Sequence, residues 1–301
     1  MTGPDRMVRR PQRGRSLAPW AFLAPGLALF ALFRLYPLVE GLVLSFTNAR
    51  LGRAAYRFTG LDNYARLLDD TRFLTSLFNT AYYTVASTLP ILALPLLLAV
   101  ALNRPMRLRA VLRGAFFFPF TLSVVTVGLT WLWLLDPIVG PLNYYLRRLG
   151  IPVRSWLADP GAAMWAIIAT SVWWVTGYYL VIYLAGLQDI PAQLYEAAAI
   201  DGANWWQRMR YVTLPMMRNI MAITALFSLI VTFANFDIVR ILTAGGPIDR
   251  THVFATWAFW IGIQGNDIPL GASVSLFMVP ILTVAAVFIL RDIHRRASEM
   301  S

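Results

Sequence analysis

The chain has 301 residues, is 58% hydrophobic and carries a formal charge of +11, with no cysteine and two histidines. All 26 basic residues are Arg, which excludes a Walker lysine for nucleotide hydrolysis and a Schiff-base lysine. Without thiols there is no disulfide framework and no thiolate nucleophile, and His252 and His294 stand too far apart to begin a metal site.

The apolar content exceeds the ~45–50% usual in soluble domains, and mean hydropathy is +0.59. The excess falls in long blocks parted by Arg-bearing stretches, the pattern of several membrane spans. The charge is therefore read as membrane orientation rather than nucleic-acid binding.

A span needs about 20 apolar residues to cross a ~30 Å core. The first candidate runs from Leu17 to Phe33, with a looser continuation from Leu35 to Phe46. Arg6, Arg9, Arg10, Arg13 and Arg15 precede it, as in a signal peptide. Its length and the lack of a small-x-small site favour a retained span. Further spans are expected at Leu77–Leu102, Ala115–Leu135, Ala162–Leu187, Ile220–Leu242 and Leu270–Leu290. This is an all-α, six-span membrane protein in expectation. A small excess of Arg on one set of segments places both termini in the cytoplasm. Residues 1–16 and 294–301 are then cytoplasmic tails around a six-span transmembrane domain at 17–293.

Between the spans, Leu61–Asp70 reads as a short amphipathic helix with Asp62 as its cap. Pro137, Gly140, Pro141, Pro152, Pro160 and Gly161 punctuate the second outer loop, and Gly245-Gly246-Pro247 marks a sharp turn.

The segment between spans four and five, 188–218, is the most informative. Asp189 can cap a helix whose first turn holds Pro191. Leu194–Ile200 is rich in Ala, Gly202 suits a helix end, and Pro215 acts as a stop. Glu196, Asp201, Arg208 and Arg210 supply charge at its rim. A rigid cytoplasmic elbow that receives force from a partner and an ordinary interfacial helix fit these residues equally.

Here the sequence resembles the inner-membrane permeases of ATP-binding-cassette importers. Their loop carries Glu-Ala-Ala, three residues, Gly, nine residues, then aliphatic-x-Leu-Pro. This chain has Glu196-Ala197-Ala198, Gly202 and Val212-Thr213-Leu214-Pro215 at those spacings. Leu242-Thr243-Ala244-Gly245-Gly246-Pro247 resembles the outer turn of maltose-type carbohydrate permeases. Leu35-Tyr36-Pro37, Leu44-Ser45-Phe46 and Gly60-Leu61-Asp62-Asn63-Tyr64 match the family's early patterns.

The resemblance implies a type I importer permease for a sugar, polyol or glycerol-phosphate-like solute, with no enzymatic activity and no cofactor of its own. It implies a second permease, two ATPase subunits that bind ATP and Mg, an extracytoplasmic solute-binding protein and a bacterial inner membrane as partners. Glu196, Ala197, Ala198, Asp201, Gly202, Leu214 and Pro215 would couple to the ATPase. By register, Tyr179, Phe233 and Asn235 fall at solute-holding positions. Trp174, Ser228, Thr232 and Asp237 join them as in-membrane polar or aromatic residues that suit a sugar. Interface anchoring and helix–helix hydrogen bonding explain the same residues without a solute. An ion-coupled transporter without an ATPase would show more membrane-buried acids than Asp237 and Glu40, and an embedded enzyme would need a cluster of ligands or a nucleophile–base pair.

Overall fold

The computed structural model describes residues 18–50 and 56–298. The Arg-rich tail at 1–16 lies outside them. Among the described residues the chain is helical, and its one β contact is an isolated bridge between Thr47 and Phe58. Five helices are long and apolar enough to cross a membrane, and a bent pair makes a sixth.

Helix α1 (Ala18–Phe30) passes through a π-helical turn at Ala31–Leu35 into α2 (Tyr36–Ser45), so the apolar segment and its continuation are one helix. The π turn has a local cause. Pro37 lacks an N–H and its ring would press on the carbonyl four residues back. Tyr36 N–H instead reaches Ala31 O, five residues back, which widens the helix just ahead of the proline. From Phe22 to Glu40 every residue is exposed.

Helix α3 (Asp62–Asp69) confirms the short amphipathic element. Asp62 opens its first turn and does not cap it; Leu61 holds the cap position. Asp70 caps α4 (Thr71–Leu102), its carboxylate accepting the Arg72 N–H at 2.8 Å.

The third expected span is not straight. It is α5 (Arg109–Thr121) and α6 (Val124–Leu134), whose axes differ by 99°. Leu122 and Ser123 are extended, and the Ser123 hydroxyl accepts the Thr126 N–H at 3.2 Å, starting a new helix in a new direction. Apolar composition is blind to that change. Helix α7 (Pro141–Arg148) lies in the following loop.

Helix α8 (Ala163–Gln188) is the centre of the fold, buried along most of its length between α4, α5 and α11. Lipid tails are as apolar as leucine, so membrane helices gain little from hydrophobicity alone and use close approach and hydrogen bonds. Both appear. A Cβ at Gly177 would run into the Phe116 backbone of α5. Tyr83 of α4 donates to Ser171 of α8 at 2.8 Å, and Tyr183 of α8 bonds Thr224 at 3.0 Å.

The chain continues as α9 (Ala192–Ile200), α10 (Trp205–Arg208), a π turn at Met209–Thr213, and α11 (Leu214–Phe233). The expected fifth span is interrupted but not cut short: Ala234–Phe236 break the helix, and α12 (Asp237–Leu242) follows within the same membrane-length apolar stretch, Trp205–Leu242. Helix α13 (Phe254–Phe259), a π turn at Trp260–Gln264 and α14 (Ile268–Ser298) complete the chain. A second apolar cluster of Leu67, Phe73, Phe254, Trp257 and Val274 packs at the end where α4 begins.

Candidate functional site

The elbow sits at the end of the molecule where α4 and α8 finish. Asp189 terminates α8, its N–H bonded to Gly186 O, and makes no side-chain cap for α9. Pro191, extended at ψ 130°, holds the cap position instead. Proline has no N–H to satisfy and suits that end of a helix.

The other end of α9 closes by a Schellman motif. Ala203 N–H reaches Ala198 O at 2.9 Å and Gly202 N–H reaches Ala199 O at 3.1 Å. Gly202 adopts φ +76°, the left-handed conformation this motif demands, and nothing lies within 4 Å of where its Cβ would be. The requirement for glycine is thus conformational and not steric.

Asn204 starts the next helix through a capping box. Its side chain accepts Gln207 N–H at 2.9 Å, and Gln207 Oε1 accepts Asn204 N–H at 2.7 Å. Helix then continues without interruption from Trp205 to Phe233. Pro215 is no stop. It sits at the second position of α11 behind the π turn, where Leu214 N–H bonds Met209 O, the arrangement seen before Pro37. The elbow is therefore rigidly continuous with a membrane helix. Tyr195 on α9 is tied to Thr213 at 3.0 Å, which fixes α9 against that lever.

Helix α9 buries no residue of its own. Glu196, Ala197, Asp201 and Gly202 are exposed, Ala198 is half-buried, and Ile200 is 87% exposed. Leu214 is half-buried and Pro215 exposed.

The solute candidates divide. Tyr179, Ser228, Thr232 and Phe233 are buried within the chain. Ser228 and Thr232 each lie 3.4 Å from the Thr88 hydroxyl, so that pair joins α11 to α4. Phe233 belongs to the other cluster, 5.9 Å from Phe254 between ring centres. Asn235 is half-buried and donates to Tyr83 OH at 3.0 Å, while its Oδ1 finds no donor in the chain. Trp174, also half-buried, packs on Phe120 with its indole N–H unpartnered. Asp237 is exposed at the start of α12, just past the break at Ala234–Phe236 and within the Trp205–Leu242 stretch.

Sequence reasoning missed the α4 half of this polar layer. Asn79, Thr80, Tyr83, Thr84, Ser87 and Thr88 recur at three- and four-residue steps, one face of an apolar helix, and all but Thr88 are buried. That spacing was visible in the sequence.

Gly245, Gly246 and Pro247 build the opposite end. Gly245 has φ +98°, and a Cβ there would strike the His252 ring. Thr251 N–H reaches Gly245 O at 3.0 Å, the Thr243 and Thr251 hydroxyls meet at 2.7 Å, and Asn79 of α4 donates to His252 O at 3.0 Å. Burial pushes the His252 imidazole below its ordinary range; Asp249 opposes that, while Arg240 and Arg72 add to it. In the second outer loop, Asp136 accepts the N–H groups of Val139 and Ile138, which lower its carboxyl.

Glu196, Ala197, Ala198 and Gly202 thus stand on an exposed helix joined through a left-handed glycine to one long membrane helix. The sequence profile of the binding-protein-dependent transport system inner membrane component matches residues 71–299. The chain belongs to that family. A probable permease of an ABC transporter from Pyrococcus horikoshii is 33% identical, over 86% of this chain and 89% of the relative. The lactose transport system permease of Rhizobium radiobacter is 34% identical, over 80% of this chain and 81% of the relative. In fold, the permease superposes on a chain of a bacterial ABC transporter that imports alginate, with a TM-score of 0.81, 24% identity, and 93% and 96% of the two chains covered.

Proposed function

We propose that this permease is one membrane half of an ATP-driven, binding-protein-dependent importer for a sugar or sugar-like solute in a bacterial inner membrane. Its partners are a second permease, two ATPase subunits that bind ATP and Mg, and a solute-binding protein on the outer side. Both termini and the elbow face the cytoplasm. The observation that carries this reading is the α9–Gly202–α10 elbow, which is exposed on its outer face and continuous with α11 behind. A push on α9 reaches the membrane as rotation of a whole helix, the rigid-body logic of alternating access. Glu196, Ala197, Ala198, Asp201 and Gly202 meet the ATPase, and Leu214 and Pro215 transmit its movement.

For the solute, support comes from the polar layer of α4, α8 and α11, whose hydroxyls and amides suit a polyol, and from relatives named for lactose and arabinooligosaccharide transport. Asn235, Trp174 and Asp237 are the candidates with free surface in this conformation. Tyr179, Ser228, Thr232 and Phe233 bear on the path only if the helices part. Asp237 lies at its outer margin, and the Gly245-Gly246-Pro247 turn braces that margin.

The test is purification of the tagged chain from its native membrane in mild detergent, with mass spectrometry of what accompanies it. An ATPase with a Walker motif and a second permease are expected. Uptake of labelled sugars by the reconstituted assembly, dependent on ATP, is expected as well. Reproducible recovery of the folded chain alone would overturn the reading.

A further inference from the structure

A cavity of about 450 Å³ lies between the ends of α4 and α8 and the inner side of the elbow. Asn103 and Arg104 line it from the turn that follows α4, Leu187 from α8, Tyr195 from α9, and Trp205 and Arg208 from α10. Arg104 and Arg208 are its charged residues, and no carboxylate lines it. Arg109 stands behind, donating to Asn103 Oδ1 at 3.3 Å. None of these three arginines forms an ion pair among the described residues.

Solvation by water is the ordinary fate of arginines at a membrane edge. Arg104 is exposed and open to it, whereas Nε of Arg208 is shut from solvent and meets no acceptor in the chain, so Arg208 is the less well solvated of the pair. A buried charged donor left unpaired costs more than a typical hydrogen bond returns. Arg208 is also held in place, since the Asn204–Gln207 capping box fixes its helix and its carbonyl accepts the Thr213 hydroxyl at 3.4 Å.

We propose that this cavity binds a phosphate group, clasped by Arg104 and Arg208, with the Leu187 and Trp205 wall receiving the carbon part of the molecule. Guanidinium groups present planar forks that match phosphate oxygens two at a time. Two positive charges on one cavity exceed what one carboxylate would balance. The phosphate comes either from the headgroup of an anionic lipid, since the cavity sits where membrane helices end, or from a soluble phosphate ester. An acidic protein segment is disfavoured because the cavity is recessed behind α9 and not on its projecting face. A ligand here would touch α4, α8 and the elbow at once and so bias the lever's position.

The experiment is calorimetric titration of the full chain, with the subunits that accompany it, in neutral detergent. The probes are dihexanoyl-phosphatidylglycerol and inorganic phosphate. One site per chain is expected for at least one probe. Arg104→Gln with Arg208→Gln weakens it by about tenfold or more, while Arg218→Gln, an exposed position outside the cavity, leaves it unchanged. Binding of the lipid without competition from phosphate assigns a headgroup; equal competition assigns a soluble ester. If the Gln pair does not fold, Arg104→Lys with Arg208→Lys keeps charge but loses the forks, and weakened binding is expected. No binding by the wild type, or undiminished binding by the Gln pair or by the Lys pair, overturns the proposal. Probe binding that appears only after the accompanying subunits are stripped away overturns it too, in favour of an acidic protein segment.

Discussion

Gly202 is where a single residue decides the most. Its φ of +76° costs a side chain with a Cβ about 1–2 kcal/mol, and the open space around it adds no clash. Gly202→Val is expected to lose solute uptake while ATP hydrolysis continues, because the Schellman closure fails and α9 turns on its base. Gly202→Asn, which tolerates the left-handed region, is expected to retain most uptake. The ratio of solute moved to ATP hydrolysed in proteoliposomes checks both; equal behaviour of the two variants would refute the conformational argument. His252 makes a second test at this scale. Burial holds its imidazole below the ordinary range against the pull of Asp249, with Arg240 and Arg72 on the side of burial. The opened turn would bind a proton below the ordinary histidine value near 6.5. The closed turn is therefore fully stable above that pH and loses stability as pH falls through the lowered value. Hydrogen exchange at the Thr251 amide, corrected for intrinsic rate, should show easier opening at pH 5.5 than at 7.5, and His252→Gln should remove the difference.

Among elements, the polar layer has the more instructive energetics. Tyr83→Phe would strip the hydroxyl that joins α4 to Ser171 and Asn235. In water such a loss costs about 1–3 kcal/mol, but hydrogen bonds between membrane helices average about 0.6. A modest loss of thermal stability is expected, with a coupling energy between Tyr83→Phe and Asn235→Ala of similar size. If Asn235 also touches solute, Asn235→Ala raises the KM for uptake while Tyr83→Phe does so far less. What the sequence made legible follows the same division. The apolar blocks of α4, α8, α11 and α14 were visible because hydropathy marks what lipid can cover. The 99° bend between α5 and α6 was not, since composition carries no direction; only the Ser123 cap encoded it. Helix α12 was hidden inside an apolar run, and α13 was too short to stand out. Asp189 and Pro215 misled because their local preferences suit several positions, and the π turn at Met209–Thr213 absorbed a proline that reads as a stop. The elbow was legible because its spacing fixes a backbone shape, whereas the α4 polar stripe requires knowing which face of a helix meets its neighbours.

Across the whole molecule, exposed apolar side chains mean different things at different depths. Phe22, Leu97 and Phe118 are each more than half exposed on membrane helices, where lipid covers them without cost. Ile200 at 87% and Trp206 at 64% lie on the elbow, beyond the ends of α4 and α8, where water would meet them. Large apolar side chains exposed at that depth suit a protein contact, and Ile200, beside the exposed Glu196 and Asp201, is the more exposed of the two. Ile200→Asp places a third negative charge there and removes the apolar anchor. It is expected to leave membrane insertion and folding intact, since Ile200 packs on nothing inside the chain, and to weaken ATPase binding by about tenfold or more, the scale of a central interface residue. Phe118→Ser, an equal loss of exposed apolar surface on α5, should leave ATPase recovery unchanged. Quantifying the ATPase recovered per permease in each variant checks the argument. Equal recovery from both would mean that the elbow's apolar face is covered by lipid, and the lever would then need another point of contact.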